Sequence, residues 1–424
     1  MKFIINGSSE LEGEIKVLGS KNAATPVIAA TILTSRPCLI SNVPKIGDVA
    51  TMLSTIQSMG GSVDWLNSNT VRIVNRDLDP KKIDMHLVRR IRSSILLIGP
   101  ILARFGSLSI GTPGGCHIGV RPLDAHLEAF KGLGVSINYD ETNDTYHLKK
   151  PESGWGNKVI LKEFSVTATE NLMMLGAAMR SLEIELAAAE PHVENLGNFL
   201  RCMGVKINGL GAHNVRISGS KKLNNRRSEI KFSIMNDPIE AGTFMVLGAL
   251  AAKKLVIKNA PVSHLVFPLL KFKEFGADFY VEGNNIIVRN SLKKLRGVKI
   301  QTLPYPGFPT DLQAPFGVLA TQSKGETLIF DTLYEGRLRY IKELIKMGAR
   351  AKILDPHRAV VSGRTPLHGA TIKSLDLRAG ATLVIAALSA RGRSVLHDAE
   401  EIDRGYERLE ERLRLLGAKI ERVN

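Results

Sequence analysis

The sequence predicts an α/β protein of two domains, each assembled from three repeats. Three observations carry this. First, an apolar residue followed by glycine recurs six times along the 424 residues: Met59-Gly60, Leu133-Gly134, Met203-Gly204, Phe275-Gly276, Met347-Gly348 and Leu416-Gly417. The interval is about 70 residues, longer than most solenoid units, so each repeat should be a small α/β subdomain. Second, apolar residues three and four apart lead into these markers, as in Leu123, Leu127, Phe130 and Leu133, or Leu409, Leu413 and Leu416; that spacing marks one buried helix face. Third, alternating runs follow, such as Val135-Ser136-Ile137-Asn138-Tyr139, which suits strands. Glycine at the end of each helix takes the left-handed cap without a Cβ penalty.

Taken in order, a first strand is expected over 3–17, paired with the C-terminal half of the chain. A second helix class is apolar all round and therefore buried. It is expected at 23–33, 94–103, 170–178, 241–251, 311–320 and 379–390, one per repeat. The polar, basic stretch 221–231, with Asn224-Asn225-Arg226-Arg227, reads as the linker. One domain is then 21–229 and the other 1–20 plus 230–424, with the cleft between them as the expected site.

Composition narrows the function classes. A chain of 424 residues exceeds one simple core. Lys+Arg 57 against Asp+Glu 41 leaves +16, a charge that attracts anions. The basic residues are dispersed and aromatics are only 5%, so neither a nucleic-acid stripe nor base-stacking platforms are expected. The three cysteines, Cys38, Cys116 and Cys202, show no CxxC spacing; no disulfide framework, no metal site and a reducing cytoplasm are the expectations. The N-terminus meets glycine and charge too early for a signal peptide, and the longest apolar run, 95–102, is too short to insert in a membrane.

The candidate chemistry starts at Pro113-Gly114-Gly115-Cys116-His117-Ile118-Gly119-Val120-Arg121-Pro122. Glycines allow close approach to a ligand, and Arg121 beside Cys116 would lower the thiol pKa. His117 is a weaker base candidate, because adjacent side chains point apart. Cations stand at helix starts or glycine turns: Lys21 in Gly19-Ser20-Lys21-Asn22, Arg92, Arg121, Arg378 in Asp376-Leu377-Arg378, and Arg404 in Asp403-Arg404-Gly405. Singly each reads as a surface cation; together they read as an anion-binding rim. Asp311, in Phe308-Pro309-Thr310-Asp311, is either a helix cap, like Thr310, or a general base. Ser165-Val166-Thr167-Ala168-Thr169-Glu170-Asn171 reads as a capping sequence with Thr167 or Thr169 as cap. No Walker A, GxSxG or HExxH pattern occurs.

These stretches, with Thr169-Glu170-Asn171-Leu172-Met173-Met174 and Ile402-Asp403-Arg404-Gly405-Tyr406-Glu407-Arg408, resemble the UDP-N-acetylglucosamine 1-carboxyvinyltransferase family of enolpyruvyl transferases. The resemblance runs from end to end. It implies the inside-out α/β barrel fold, two similar domains each of three βαβαββ-type units, and no cofactor. It implies phosphoenolpyruvate and UDP-N-acetylglucosamine as substrates, with phosphate released by addition and elimination. By resemblance Cys116 is the proton donor and Asp311 the base candidate at the sugar hydroxyl. Lys21, Arg121 and Arg404 hold the phosphate, Arg337 and Arg378 meet the carboxylate region, and Asn22 lies beside phosphoenolpyruvate. Arg92, Pro122, Leu123, Asp124, Ser165, Val166 and Leu333 fall at positions associated with the UDP-sugar. The chain departs from the family pattern at Thr167, Ala189, His192, Pro238 and Gly336, which keeps an enolpyruvyl transferase with another nucleotide-sugar acceptor as the alternative. A shikimate acceptor is disfavoured by Cys116. An RNA 3′-phosphate cyclase-like protein is disfavoured by missing nucleotidylation motifs.

Overall fold

The computed structural model describes residues 1–7, 10–114, 123–220, 223 and 228–424. The chain forms two compact units. One comprises Met1–Leu18 with Asn236–Asn424, the other the described residues between 19 and 235. Each is an inside-out α/β barrel, with apolar helices at the centre and sheets around them.

In the first unit the central helices are Pro238–Ala251, Thr310–Thr321 and Leu377–Ser389. They pack on one another and are buried along almost their whole length, as helices apolar all round must be. The shorter helices Val266–Glu274, Tyr340–Lys346 and Leu409–Arg414 are half-exposed. Three four-stranded sheets share one pattern, a parallel edge strand followed by two antiparallel pairings. In one, Ile300–Gln301 runs parallel to Gly325–Phe330, which pairs antiparallel with Arg358–Gly363 and that strand with Arg350–Ile353. With the two helices between, this is a βαβαββ unit.

The expected first strand is two strands. Lys2–Asn6 lies antiparallel between Arg393–His397 and Lys419–Val423. Leu11–Lys16 runs parallel to Ala252–Lys258. Both join the C-terminal half, as its partners were expected to lie there.

The second unit centres on Lys21–Ala30, Ile98–Phe105 and Val166–Gly176. Here the boundary corrects the expectation: the unit extends to residue 235 and takes in Gly19 and Ser20. The reason is pairing. Ile230–Ser233 is the parallel edge strand on Cys38–Ser41, so part of the supposed linker is sheet; 221–222 and 224–227 lie outside the described residues. The middle sheet has three described strands, Ser107–Gly111, Thr145–Lys149 and Ser136–Asp140. Ahead of its central helix, in place of an edge strand, the chain winds the short helix Met85–Arg90, capped by Asp84, which accepts from His86 N at 2.8 Å.

Glu170 is a carboxyl inside the buried helix Val166–Gly176. Burial pushes its pKa well above the carboxylate range, and the charge of Glu190 pushes it the same way. The folded state therefore favours the protonated acid. That stability is present below the unfolded pKa of about 4.3 and falls by about 1.4 kcal/mol per pH unit as pH rises toward the folded value. Glu170→Gln is expected to remove this dependence. Urea unfolding at pH 5 and pH 8 should show the variant gaining on the wild type as pH rises; parallel curves would contradict a neutral Glu170.

Candidate functional site

In the first unit three predicted residues come together. Helix Thr310–Thr321 starts after Pro309, and Asp311 lies in its first turn, where the helix dipole favours a carboxylate. Neither Thr310 nor Asp311 acts as the cap. Thr310 Oγ1 instead donates to Asp331 Oδ2 at 2.6 Å, and Asp331 Oδ1 accepts from Leu333 N at 3.0 Å, which ties the exposed Leu333 to the same turn. Arg337 opens the 3-10 turn Arg337–Arg339 and places Nη2 2.7 Å from Asp311 Oδ1. Arg378 sits in the first turn of Leu377–Ser389, capped by Asp376, which accepts from Arg378 N and Ala379 N. Its Nε donates to Asp311 Oδ2 at 3.1 Å. Both oxygens of Asp311 are thus gripped by guanidinium groups whose side chains are 11% and 4% exposed.

On its other side Arg378 meets Asp237, with Nη2 3.9 Å from Oδ2, and the ring of Tyr406, whose centroid is 5.3 Å from Cζ. Tyr406 and Thr243 share a hydroxyl hydrogen bond of 2.9 Å. Burial opposes the charge on Arg378, but Tyr406, Asp311 and Asp237 outweigh it and raise its pKa. Arg337 is likewise raised: burial opposes its charge, and Asp311 and Asp376 head the groups that overcome it. Burial raises Asp237, with Arg378 pulling the other way. The set is rich in unspent donors. Arg378 Nη1 and Nη2 and Arg337 Nε are buried without a close hydrogen bond among the described residues, Arg378 having only the looser approach of the Tyr406 hydroxyl and of Asp237. Such N–H groups can take up oxygens of a carboxylate or phosphate in fork geometry.

Arg404, in the same unit, ends the 3-10 stretch Ala399–Arg404 and places Nη1 2.9 Å from Glu401 Oε2. Its neighbour Asp403 is held by Arg422 Nη1 and Nη2, each at 2.7 Å. Arg422 also bonds the buried Glu410 from Nε at 2.6 Å and Nη2 at 2.9 Å.

In the second unit Lys21 is the first residue of Lys21–Ala30, and its Nζ lies 3.2 Å from the buried Asp48. Asn22 follows it, half-buried. Arg92 opens the 3-10 stretch Arg92–Leu97. Leu123 is the buried residue before helix Asp124–Gly132, and Asp124 is exposed on its first turn. Ser165, not Thr167 or Thr169, caps Val166–Gly176, accepting from Ala168 N at 3.4 Å. Thr169 Oγ1 instead donates to Ser165 O and accepts from Ala188 N. The hydroxyl of Thr167 is 2.8 Å from His126 Nε2. Cys116, His117, Arg121 and Pro122 lie outside the described residues. Of the two described cysteines, Cys38 is buried with its thiol pushed up to about 12, inert as a nucleophile, and Cys202 is exposed.

The sequence reading missed the acids that hold these cations, Asp48, Asp237 and Glu401. Only Asp237 carried a signal, as an aspartate immediately before proline at a helix start. Among the described residues no group of His, Cys, Asp and Glu fits a metal ion, and no helix is long and apolar enough to cross a membrane.

A sequence profile of the EPSP synthase (3-phosphoshikimate 1-carboxyvinyltransferase) family matches residues 5–413. A UDP-N-acetylglucosamine 1-carboxyvinyltransferase of Campylobacter hominis is 40% identical over 426 residues, covering 100% of each chain. The protein of that name from Bradyrhizobium diazoefficiens is 39% identical over 431 residues, covering 100% of this chain and 98% of its own. Among solved structures, the enolpyruvyl transferase NikO from Streptomyces tendae superposes with a TM-score of 0.88 at 24% identity, over 99% of this chain and 98% of that one. EPSP synthase from Acinetobacter baumannii gives 0.72 at 18%, over 99% of each. At these identities the two structures speak for the fold.

Proposed function

The chain belongs to the EPSP synthase family of enolpyruvyl transferases, with full-length relatives that are UDP-N-acetylglucosamine 1-carboxyvinyltransferases, and from that premise we propose its reaction and the residues that perform it. It transfers the enolpyruvyl group of phosphoenolpyruvate to the 3-hydroxyl of UDP-N-acetylglucosamine and releases phosphate, the first committed step of peptidoglycan precursor synthesis. The observation that carries the reading is the Asp311 carboxylate gripped by two buried arginines that still have N–H groups to spend.

The chemistry assigns the roles. Cys116 donates a proton to the methylene carbon of phosphoenolpyruvate. The sugar oxygen bonds to C2 as Asp311 takes the hydroxyl proton. In the second step the new methyl group returns a proton to the Cys116 thiolate, its C–H electron pair forms the new double bond to C2, the bond from C2 to the phosphate oxygen breaks, and phosphate departs with that electron pair. Arg378 and Arg337 hold the substrate carboxylate, and Lys21, Arg121 and Arg404 the phosphate, where preorganised cations stabilise charge as it develops. Asn22 lines the phosphoenolpyruvate side. Arg92, Pro122, Leu123, Asp124, Ser165, Val166 and Leu333 meet the UDP-sugar. Family resemblance supports the roles of Cys116, Arg121 and Pro122.

Phosphate release from the purified protein tests the reading. It is expected only when phosphoenolpyruvate and UDP-N-acetylglucosamine are both present. Lys21→Gln keeps length but removes a charge-assisted bond worth about 1.5–3 kcal/mol, so the KM for phosphoenolpyruvate should rise roughly 10- to 100-fold. Cys116→Ser should lose turnover. No release above background from the folded wild-type protein would overturn the assignment.

A further inference from the structure

The stretch 92–105 does not wind as one helix. Arg92–Leu97 is 3-10 and Ile98–Phe105 is α. In a continuous α-helix the Gly99 N–H would donate to the Ile95 carbonyl four residues back. Here the side-chain amide of Asn171, from helix Val166–Gly176, stands in that gap. Its Nδ2 donates to Ile95 O at 3.0 Å, and its Oδ1 accepts from Gly99 N at 2.8 Å. Ile95 O also takes the shorter-range bond from Ile98 N. Pro100 ends the run of regular bonding, and the inserted Asn171 side chain takes up the groups the break leaves.

Asn171 is fully buried, and its Nδ2 has a second acceptor, Thr167 O at 3.1 Å, one turn back in its own helix. One amide therefore joins two segments: the 3-10 stretch that begins at Arg92 and the turn that begins at Ser165 and Val166. The approach is close enough to require glycine, since a Cβ on Gly99 would stand 2.2 Å from Asn171 O. The conformational consequence is large. A 3-10 helix turns about 120° per residue and an α-helix about 100°. If 92–97 relaxed to α, Arg92 would swing by roughly 100° about the axis relative to Leu97.

We propose that Asn171 is a positioning residue for the nucleotide part of the acceptor. By bridging the break between Ile95 and Gly99 to the turn at Thr167, it sets where the segment starting at Arg92 stands relative to Ser165 and Val166. This rests on the reading that those three residues bind the UDP-sugar. Pro100 already disfavours a continuous helix here, since its ring would meet the Leu96 carbonyl; Asn171 fixes how the two segments meet across that break by pairing the Ile95 carbonyl and the Gly99 N–H.

The test pairs kinetics with direct binding. Asn171→Leu is expected to raise the KM for UDP-N-acetylglucosamine about tenfold or more, leave the KM for phosphoenolpyruvate unchanged, and keep kcat within about threefold. Calorimetric titration with UDP-N-acetylglucosamine should weaken in parallel. A fall in kcat with both KM values unchanged would mean lost active protein and would overturn the inference. Asn171→Asp keeps the acceptor for Gly99 but loses both donor bonds, and serves if the leucine variant does not fold. In the wild type, UDP-N-acetylglucosamine should slow amide hydrogen exchange across 92–99; unchanged exchange there would also overturn it. If the wild type itself fails to bind this ligand, the acceptor assignment falls first, and the inference with it.

Discussion

Asp311→Asn is expected to cut turnover about 10²- to 10⁴-fold, the usual range for losing a positioned general base. The substitution changes little in size, so the effect isolates charge. An amide can still accept from one of the two arginines, but its NH₂ end then faces a guanidinium donor. Arg337 and Arg378 are almost fully buried, and breaking a buried pair from one side costs about 3–5 kcal/mol because the remaining charge is uncompensated. Two measurements separate the effects: kcat at saturating substrates for the base, and urea unfolding for the ion pairs. Turnover within tenfold of wild type would take Asp311 out of the base role, while a lost midpoint with retained turnover would leave it only a structural counter-ion.

Arg422→Met should be strongly destabilising although it touches no residue of the proposed chemistry. Four hydrogen bonds run from this one guanidinium, two to Asp403 and two to Glu410, and its Cζ lies 4.9 Å from the ring centroid of Phe3. Methionine keeps the apolar stem and strands the buried Glu410. The expected cost is again about 3–5 kcal/mol, or roughly 6–20 °C in Tm for a unit of this size. The pH dependence has a definite sign. Burial works to raise the pKa of Glu410, but the bonds from Arg422 overcome it and hold the carboxyl below its ordinary value. Its stabilisation is therefore present above the unfolded pKa of about 4.3 and is lost as pH falls through the folded value. The gap between wild type and variant should be full at pH 7 and narrow below about pH 4. A gap of constant width would show that packing on Phe3, not the carboxylates, holds Arg422 in place.

The repeat was legible because a backbone need left a residue-level mark. All six glycines that punctuate the sequence, Gly60, Gly134, Gly204, Gly276, Gly348 and Gly417, have φ between 85° and 97°, where a Cβ is strained. The apolar central helices were legible for the same kind of reason, since a helix with no polar face has nowhere to be but inside. Long-range pairing was not. Residues 230 and 231 look like the tail of a polar linker, and only the partner strand Cys38–Ser41 makes them, with 232 and 233, sheet. Gly99-Pro100 signals a break within 94–103 that the apolar pattern overrode; Asn171, which bridges it, lies more than 70 residues away and left no mark. At the candidate site the cations stood out, while Asp48 and Glu401 did not: an acid within a helical pattern looks the same whether it faces water or a buried lysine. The cap of Val166–Gly176 was misplaced by two or four residues, because serine and threonine at 165, 167 and 169 compete for one role and neighbouring contacts decide which wins.

The strand Lys2–Asn6 also sets a schedule for synthesis. It is made well before its two neighbours, Arg393–His397 and Lys419–Val423, which follow only after the intervening chain. At about 5–20 residues per second it waits roughly 20–80 s with its backbone edges unpaired. The unit between 19 and 235 has no such delay, because its own closing strand, Ile230–Ser233, emerges while most of the other unit is still unmade. The order of assembly is thus inner segment first and outer segment second, with the N-terminal strands as the part in need of protection. The second of them fits that need: Glu12, Glu14 and Lys16 fall at every other position of Leu11–Lys16, and charged residues on an unpaired edge discourage pairing with a second nascent chain.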